Sequence, residues 1–417
     1  MTTTEASGRR TEAEAAAWLM TTDAIRERSR QIHDAGLRGE LAHFTLDLRR
    51  LDAVADYVRE TIHANYPDLD IPYHARWRHF TVGAEDRWKE LAGTLGADGD
   101  ERARIAFDLV VTSVLLDAGA GDAWRYRDEP SGQMLERSEG LAIASFDAFR
   151  GGLFSSDPAN PLRADAASLT AVTKGRLAAA FQVESGNPLA GLEGRVGLMN
   201  RLGAALAGKP ELFGTAPTRI GHLYDHLKAE ARDGAVDADT ILQAVLNGFG
   251  DIWPGRIALA GTNLGDTWRH PAAGADDPSG GLVPFHKLSQ WLTYSLVEPL
   301  EAAGIGVTGM DRLTALAEYR NGGLLVDLGV IRPRYDAVTA RAHAPDDEVI
   351  VEWRALTITL IEEVADKLRA RLGLDAGQLP LAKVLEGGTW AAGRRIARTK
   401  RAGGGPPIRI VSDGSVF

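Results

Sequence analysis

Carboxylates set beside aromatic rings and basic groups recur in the second half of this chain, the combination that acid–base and electrostatic catalysis require. In FGDIWPGR (249–256), Asp251 stands two residues before Trp253, and Pro254 is placed to stop the preceding helix. VPFHKLSQWLTYSLVEPL (283–300) carries His286, Lys287, Gln290, Trp291 and Tyr294. In a helix starting near Pro284, His286, Gln290 and Tyr294 fall on one face with Lys287 beside them. LTALAEYRNGGLLVDLGVI (313–331) sets Glu318, Tyr319, Arg320 and Asn321 between an apolar run, read as helix, and Gly322-Gly323. An acid at such a break can face a pocket. Each Trp or Tyr alone is explained by core packing; the three segments together point to a site between Asp251 and Asn321.

Earlier and later segments offer further candidates. IPYHARWRHF (71–80) brings together His74, Arg76, Trp77, Arg78 and His79. Arg76 and Arg78 can grip a phosphate with paired N–H donors, or equally anchor a loop on carboxylates. His74 and His79 are five apart, which is not the i,i+4 spacing of a helical zinc pair, and no H-E-x-x-H occurs. SVLLDAGAGDAW (113–124) ends an apolar helix in a glycine-rich turn, read as a helix C-cap or as an anion-binding turn. Arg137 and Glu139, before the apolar run of 137–149, are caps or site groups. Glu352, Trp353 and Arg354 in VEWRALTI, and Glu386, Thr389, Trp390 and Arg394 in LEGGTWAAGRRIA, either complete a pocket or brace it.

Helices must position these groups. Apolar residues recur at helical spacing over 11–34, 51–63, 101–117, 168–182, 239–249, 287–303 and 350–373. The clearest strand signal is terminal, in PPIRIVSDGSVF, through Ile408, Ile410 and Val416. A mainly α fold is therefore predicted. The first 20 residues are expected to be a flexible lead-in to one large helical unit over 21–417, with two lobes dividing near 205–240.

No run of 18 or more apolar residues offers a membrane span, and Glu12 and Glu14 interrupt any apolar leader. Cysteine is absent, so disulfides, thiolate nucleophiles and cysteine metal sites are excluded. A cytoplasmic location is expected. A net charge of −10 argues against nucleic acid as a partner, because a phosphate backbone needs clustered cations. A small phosphorylated molecule held in a local basic pocket remains compatible with that charge.

IPYHARWRHF, LLDAGAGDAW, RSEGLAIAS, VPFHKLSQWLTYSLVEPL, EYRNGGLLVDLGV, VEWRALT, LEGGTWAAGR and SDGSVF, in this order, resemble the uracil-catabolism family of fungi and bacteria, long a domain of unknown function. The resemblance covers the chain from about residue 20 to its end. It implies a place in a pyrimidine-degradation route that opens the ring, acting after ring opening on a urea-bearing ribose phosphate. FGDIWPGR followed by LTALAEYRNGGLLVDLGVI is also similar to the paired motifs of queuosine-salvage nucleotide glycosidases. That second resemblance implies a DNA-glycosylase-like (helix-hairpin-helix) core and hydrolysis of an N-glycosidic bond. Its two acids map onto Asp251 and onto Glu318, where the pattern has Asp.

N-ribosyl hydrolysis passes through an oxocarbenium-like transition state, which a carboxylate near C1′ stabilises. On this reading Glu318 and Asp251 share the work of nucleophile or base and of helping the leaving nitrogen depart. Trp253, Trp291 and Tyr319 exclude water. His286, Lys287 and Arg320, with Arg76, Arg78 and His79, bind phosphate and hydroxyls. Gln290, Asn321, Trp353 and Arg354 complete the substrate contacts, and no metal or organic cofactor is required. The rivals are a metal-dependent amidohydrolase using His74, His79 and His286, and a non-catalytic nucleotide-binding protein that channels the intermediate.

Overall fold

Side-chain caps decide where the amphipathic runs become separate helices. The computed structural model describes residues 9–96, 98–254 and 256–411. Thr11 and Glu14 form a reciprocal capping box, with Glu14 Oε2 2.8 Å from the Thr11 N–H, and start α1 (Glu12–Leu19). The flexible lead-in expected up to residue 20 is thus helical from Glu12 onward. Thr21 accepts from the Ala24 N–H at 3.2 Å and opens α2 (Thr22–Leu37), so the run read over 11–34 is divided in two. In the same way Asp165 and Thr173 cap separate short helices, Ala166–Thr170 and Lys174–Ala180, where one was read over 168–182.

The remaining long helices follow the apolar periodicity closely. They are α3 (Leu51–Asn65), α4 (Gly99–Leu115), α5 (Arg137–Arg150), α6 (Leu192–Ala207), α7 (Ala238–Phe249), α8 (Lys287–Ala302), α9 (Tyr319–Asp327), α10 (Glu348–Leu372) and α11 (Trp390–Lys400). α10 runs for 25 residues until Gly373, at φ 68°, closes it in the left-handed conformation. It packs against α2, α3 and α9, while α8 packs between α4 and α7. One hydrophobic cluster joins residues on both sides of 205–240, including Val110, Leu198, Leu242, Leu296 and Leu356. Each such aliphatic side chain contributes about 1.5–3 kcal/mol by leaving water.

α9 and α11 approach so closely that a Cβ on Gly393 would lie 2.3 Å from the Arg320 carbonyl oxygen. Only glycine permits that contact, and it fixes the start of α9 against α11. The described strands form two-stranded pairs, such as Thr267–Arg269 with Leu282–Pro284. The C-terminal strand signal is realised as Arg409–Ile410, parallel to Ala342–His343; Val416 lies outside the described residues. The chain is mainly α. Among the described residues no helix is long and apolar enough to cross a membrane.

Candidate active site

The starts of α5, α8, α9 and α11 converge with the 74–79 segment, the turn after α4 and residues 405–410. Together they enclose a cavity of about 380 Å³. Its wall carries His74, His79, Asp117, Lys287, Glu318 and Arg320, with the rings of Trp291, Tyr319 and Trp390. A cavity with a largely apolar wall and a few converging polar groups is the usual form of a small-molecule site.

Glu318 is the N-cap of α9. Its Oε1 accepts from the Asn321 N–H at 2.5 Å and its Oε2 from the Arg320 N–H at 2.8 Å. These donors, at the positive end of a helix, stabilise a carboxylate. Glu318 is only 7% exposed, and among the described residues it forms no ion pair within 4 Å. Burial pushes its carboxyl above the ordinary range; the charge of Lys287 and the two N–H groups pull the other way. Lys287 opens α8 and holds its ammonium over the Trp291 ring, 5.4 Å from the centroid. Burial lowers its pKa, against the attraction of Glu318 and Asp117.

Asp117, just beyond α4, accepts from Arg76 Nη1 at 3.0 Å and Ser138 Oγ at 3.2 Å through Oδ2. Its Oδ1 is buried without a partner among the described residues, as are Trp291 Nε1 and His79 Nδ1. All three belong to side chains of residues that line the cavity. Burial holds His79 well below its ordinary pKa, with the charge of Arg76 adding to the effect, so it is neutral.

Of the residues singled out from sequence, Glu318, Lys287, Trp291, Tyr319, Arg320 and His79 line this cavity, and so do His74, Arg137 and Trp390, which the sequence leaves between site and structural roles. Most of the others are spent elsewhere. Asp251 lies on the surface with its side chain 64% exposed, paired to Lys209 at 2.6 Å; it does not line the cavity. Trp253 borders a small neighbouring crevice with Asp266, His286 and Arg354, which meets the cavity at Lys287. Arg354 grips Asp266 with two bonds of 2.7 and 2.8 Å. His286 precedes α8 at φ 45° and turns Nε2 to the Leu19 carbonyl at 2.9 Å, so it does not share the helical face of Gln290 and Tyr294.

Gln290 and Tyr294 bind the backbone of Thr314, at 2.9 and 3.0 Å. Residues 313–318 are consequently extended rather than helical, and Glu318 begins a helix instead of ending one. Arg76 serves Asp117, Arg78 serves Glu298 at 2.5 Å, Asn321 Nδ2 holds the Leu316 carbonyl at 3.1 Å, and Trp353 packs beneath Gly322.

The sequence leaves His74, Arg137, Glu386 and Trp390 between site and structural roles and does not single out Asp117. His74 Nδ1 lies 2.8 Å from Glu386 Oε2. The signal for Asp117 is present in the glycine-rich turn, where a helix C-cap is the preferred explanation. Among the described residues, His43, Glu348 and Glu352 bring metal-ligand atoms within 4.8 Å of one another, outside the cavity. Glu352 Oε1 accepts from the His43 and Phe44 N–H groups at 3.1 and 3.0 Å, and His270 lies 3.5 Å from its other oxygen. That carboxylate anchors the strand at Phe44–Leu46.

The chain thus has a mainly helical fold around an aromatic-walled cavity, with a buried carboxylate that makes no ion pair among the described residues. The chain belongs to the family described as Protein of unknown function (DUF1688), whose model matches residues 18–417. It is 37% identical over 436 residues to Uracil catabolism protein 4 of Lachancea kluyveri, covering 96% of this chain and 98% of that protein. It is 38% identical over 413 residues to Protein urg3 of Schizosaccharomyces pombe, covering 97% and 99%.

Proposed function

We propose that this protein acts in uracil catabolism, as the name of its Lachancea kluyveri relative indicates for that protein, and that it hydrolyses the N-glycosidic bond of a ring-opened uridine nucleotide. The substrate is a ribosylurea 5-phosphate and the products are urea and ribose 5-phosphate. The observation that carries this reading is Glu318: a buried carboxylate without an ion pair among the described residues, facing a cavity with basic and aromatic walls.

Glu318 lies against C1′, stabilises the positive charge that develops there and takes a proton from the attacking water. Its raised pKa makes it a better base than an exposed glutamate. Asp117, on the cavity wall, accepts from ribose hydroxyls. The phosphate is received by Lys287, Arg320 and Arg137. Arg137 holds φ 54°, an uncommon conformation for a residue with a side chain and one that concentrates at functional sites. Trp291, Trp390 and Tyr319 cover the sugar and exclude bulk water.

Product analysis tests this directly. Purified protein incubated with ribosylurea 5-phosphate is expected to release urea and ribose 5-phosphate in equal amounts. Ammonia and carbon dioxide in place of urea would mean attack on the ureido carbonyl, and unchanged substrate would mean binding alone.

A further inference from the structure

The proposed reaction needs a second proton-handling group, because urea leaves poorly as an anion, and Asp251 does not line the cavity. We infer that His74, positioned by Glu386, is the proton donor to the departing nitrogen. The inference rests on the glycosidase reading and adds its missing acid.

The local fold explains the pair. Residues Val384–Thr389 form a π-helical turn ahead of α11, a rare irregularity frequent at functional sites. Gly387 and Gly388 let that turn press on Ile71 and Val58; a Cβ at either would lie 2.9 Å from those side chains. The turn thereby directs Glu386 towards His74, whose own backbone N–H is tied to the Ala382 carbonyl at 2.9 Å. With Nδ1 2.8 Å from Glu386 Oε2, Nδ1 carries the proton and donates it to the carboxylate.

Nε2 is then the ring atom left to meet a ligand. It has no protein partner among the described residues, and His74 lines the cavity that Glu318 also lines. The imidazole is wedged between Trp291 and Trp390, at centroid distances of 6.2 and 5.6 Å, which fixes its plane. A carboxylate–imidazole pair with the far nitrogen free is the arrangement by which enzymes orient and charge a histidine.

The step balances. The C1′–N bond breaks and its electron pair stays on nitrogen, which takes the proton from His74 Nε2, so urea leaves neutral. Water oxygen bonds to C1′ and gives its proton to Glu318. Proton return from Glu318 to His74 through solvent resets the site. His74 is thus a catalytic residue and Glu386 a positioning residue.

Two substrates separate this role from a structural one: ribosylurea 5-phosphate, and 4-nitrophenyl riboside 5-phosphate, whose leaving group departs as an anion without needing an acid. In the full-length protein, His74→Gln is expected to lower kcat/KM for ribosylurea 5-phosphate roughly 10²–10⁴-fold. On the nitrophenyl compound the loss should shrink to within about ten-fold, the same preparation thereby reporting that it is folded. Glu386→Gln is expected to lower kcat for ribosylurea 5-phosphate with KM little changed and the nitrophenyl compound little affected, and Glu386→Asp to restore most of it. Glu318, His79 and Lys287 line the same cavity and are unchanged in these variants. Equal losses on both substrates, or full ribosylurea turnover in Glu386→Gln, overturn the assignment. Wild-type protein that releases neither urea nor nitrophenol overturns the glycosidase reading and this inference together.

Discussion

Asp108 in α4 and Glu318 at the start of α9 are both buried carboxylates, and they are buried in opposite ways. Asp108 is fully enclosed and saturated: Arg219 Nε donates to Oδ2 at 2.8 Å, Arg219 Nη2 bonds the same oxygen, and the Gly221 N–H donates to Oδ1 at 2.7 Å. Arg219 is held in turn by Glu101 at 2.8 Å. Glu318 has two backbone donors, no ion pair among the described residues, and a cavity in front of it. Burial raises both carboxyl pKa values. The shift alone therefore does not separate them; the difference lies in what remains free to react. A saturated carboxylate joins helices, whereas one left partly unsatisfied beside open space is available for chemistry.

The largest effect that tests this contrast is on stability. Arg219→Ala strands Asp108 without its cation and is expected to cost about 3–5 kcal/mol in denaturant unfolding, with activity per folded molecule retained. An unchanged midpoint would mean that Asp108 is not held as described.

At the other carboxylate the effect falls on pH. The charge of Lys287 lowers the Glu318 pKa, so Lys287→Met should raise it, keep Glu318 protonated over a wider range and move the acid limb of kcat to higher pH. A limb that stays in place, or moves down, breaks the electrostatic link between the two. The smallest effect belongs to Asp251, whose exposed pair with Lys209 is of the kind worth at most about 1 kcal/mol. Asp251→Asn should leave turnover within about two-fold and stability within that margin. Loss of turnover would return Asp251 to the catalytic machinery.

What the sequence made legible was periodic or local. The run read over 239–249 became α7 almost residue for residue, because its apolar face repeats at helical spacing. Glu318 stood out as an acid at a break between an apolar run and Gly322-Gly323; the structure makes that break the start of α9. The 313–317 run misled because it is apolar without being helical: Tyr294, 20 positions away, takes the Thr314 carbonyl that a helix would use. Asp251 beside Trp253 looked like a site because no local pattern reveals Lys209, 42 positions earlier. The His74–Glu386 pair spans 312 positions and depends on a π-turn, which leaves no periodic trace.

The most direct measurement concerns Glu318 itself. Glu318→Gln keeps the shape of the N-cap but cannot take a proton. It is expected to bind ribosylurea 5-phosphate with near wild-type affinity by calorimetry while urea release falls by at least roughly 10³-fold. Wild-type turnover in a folded Glu318→Gln protein would contradict the account.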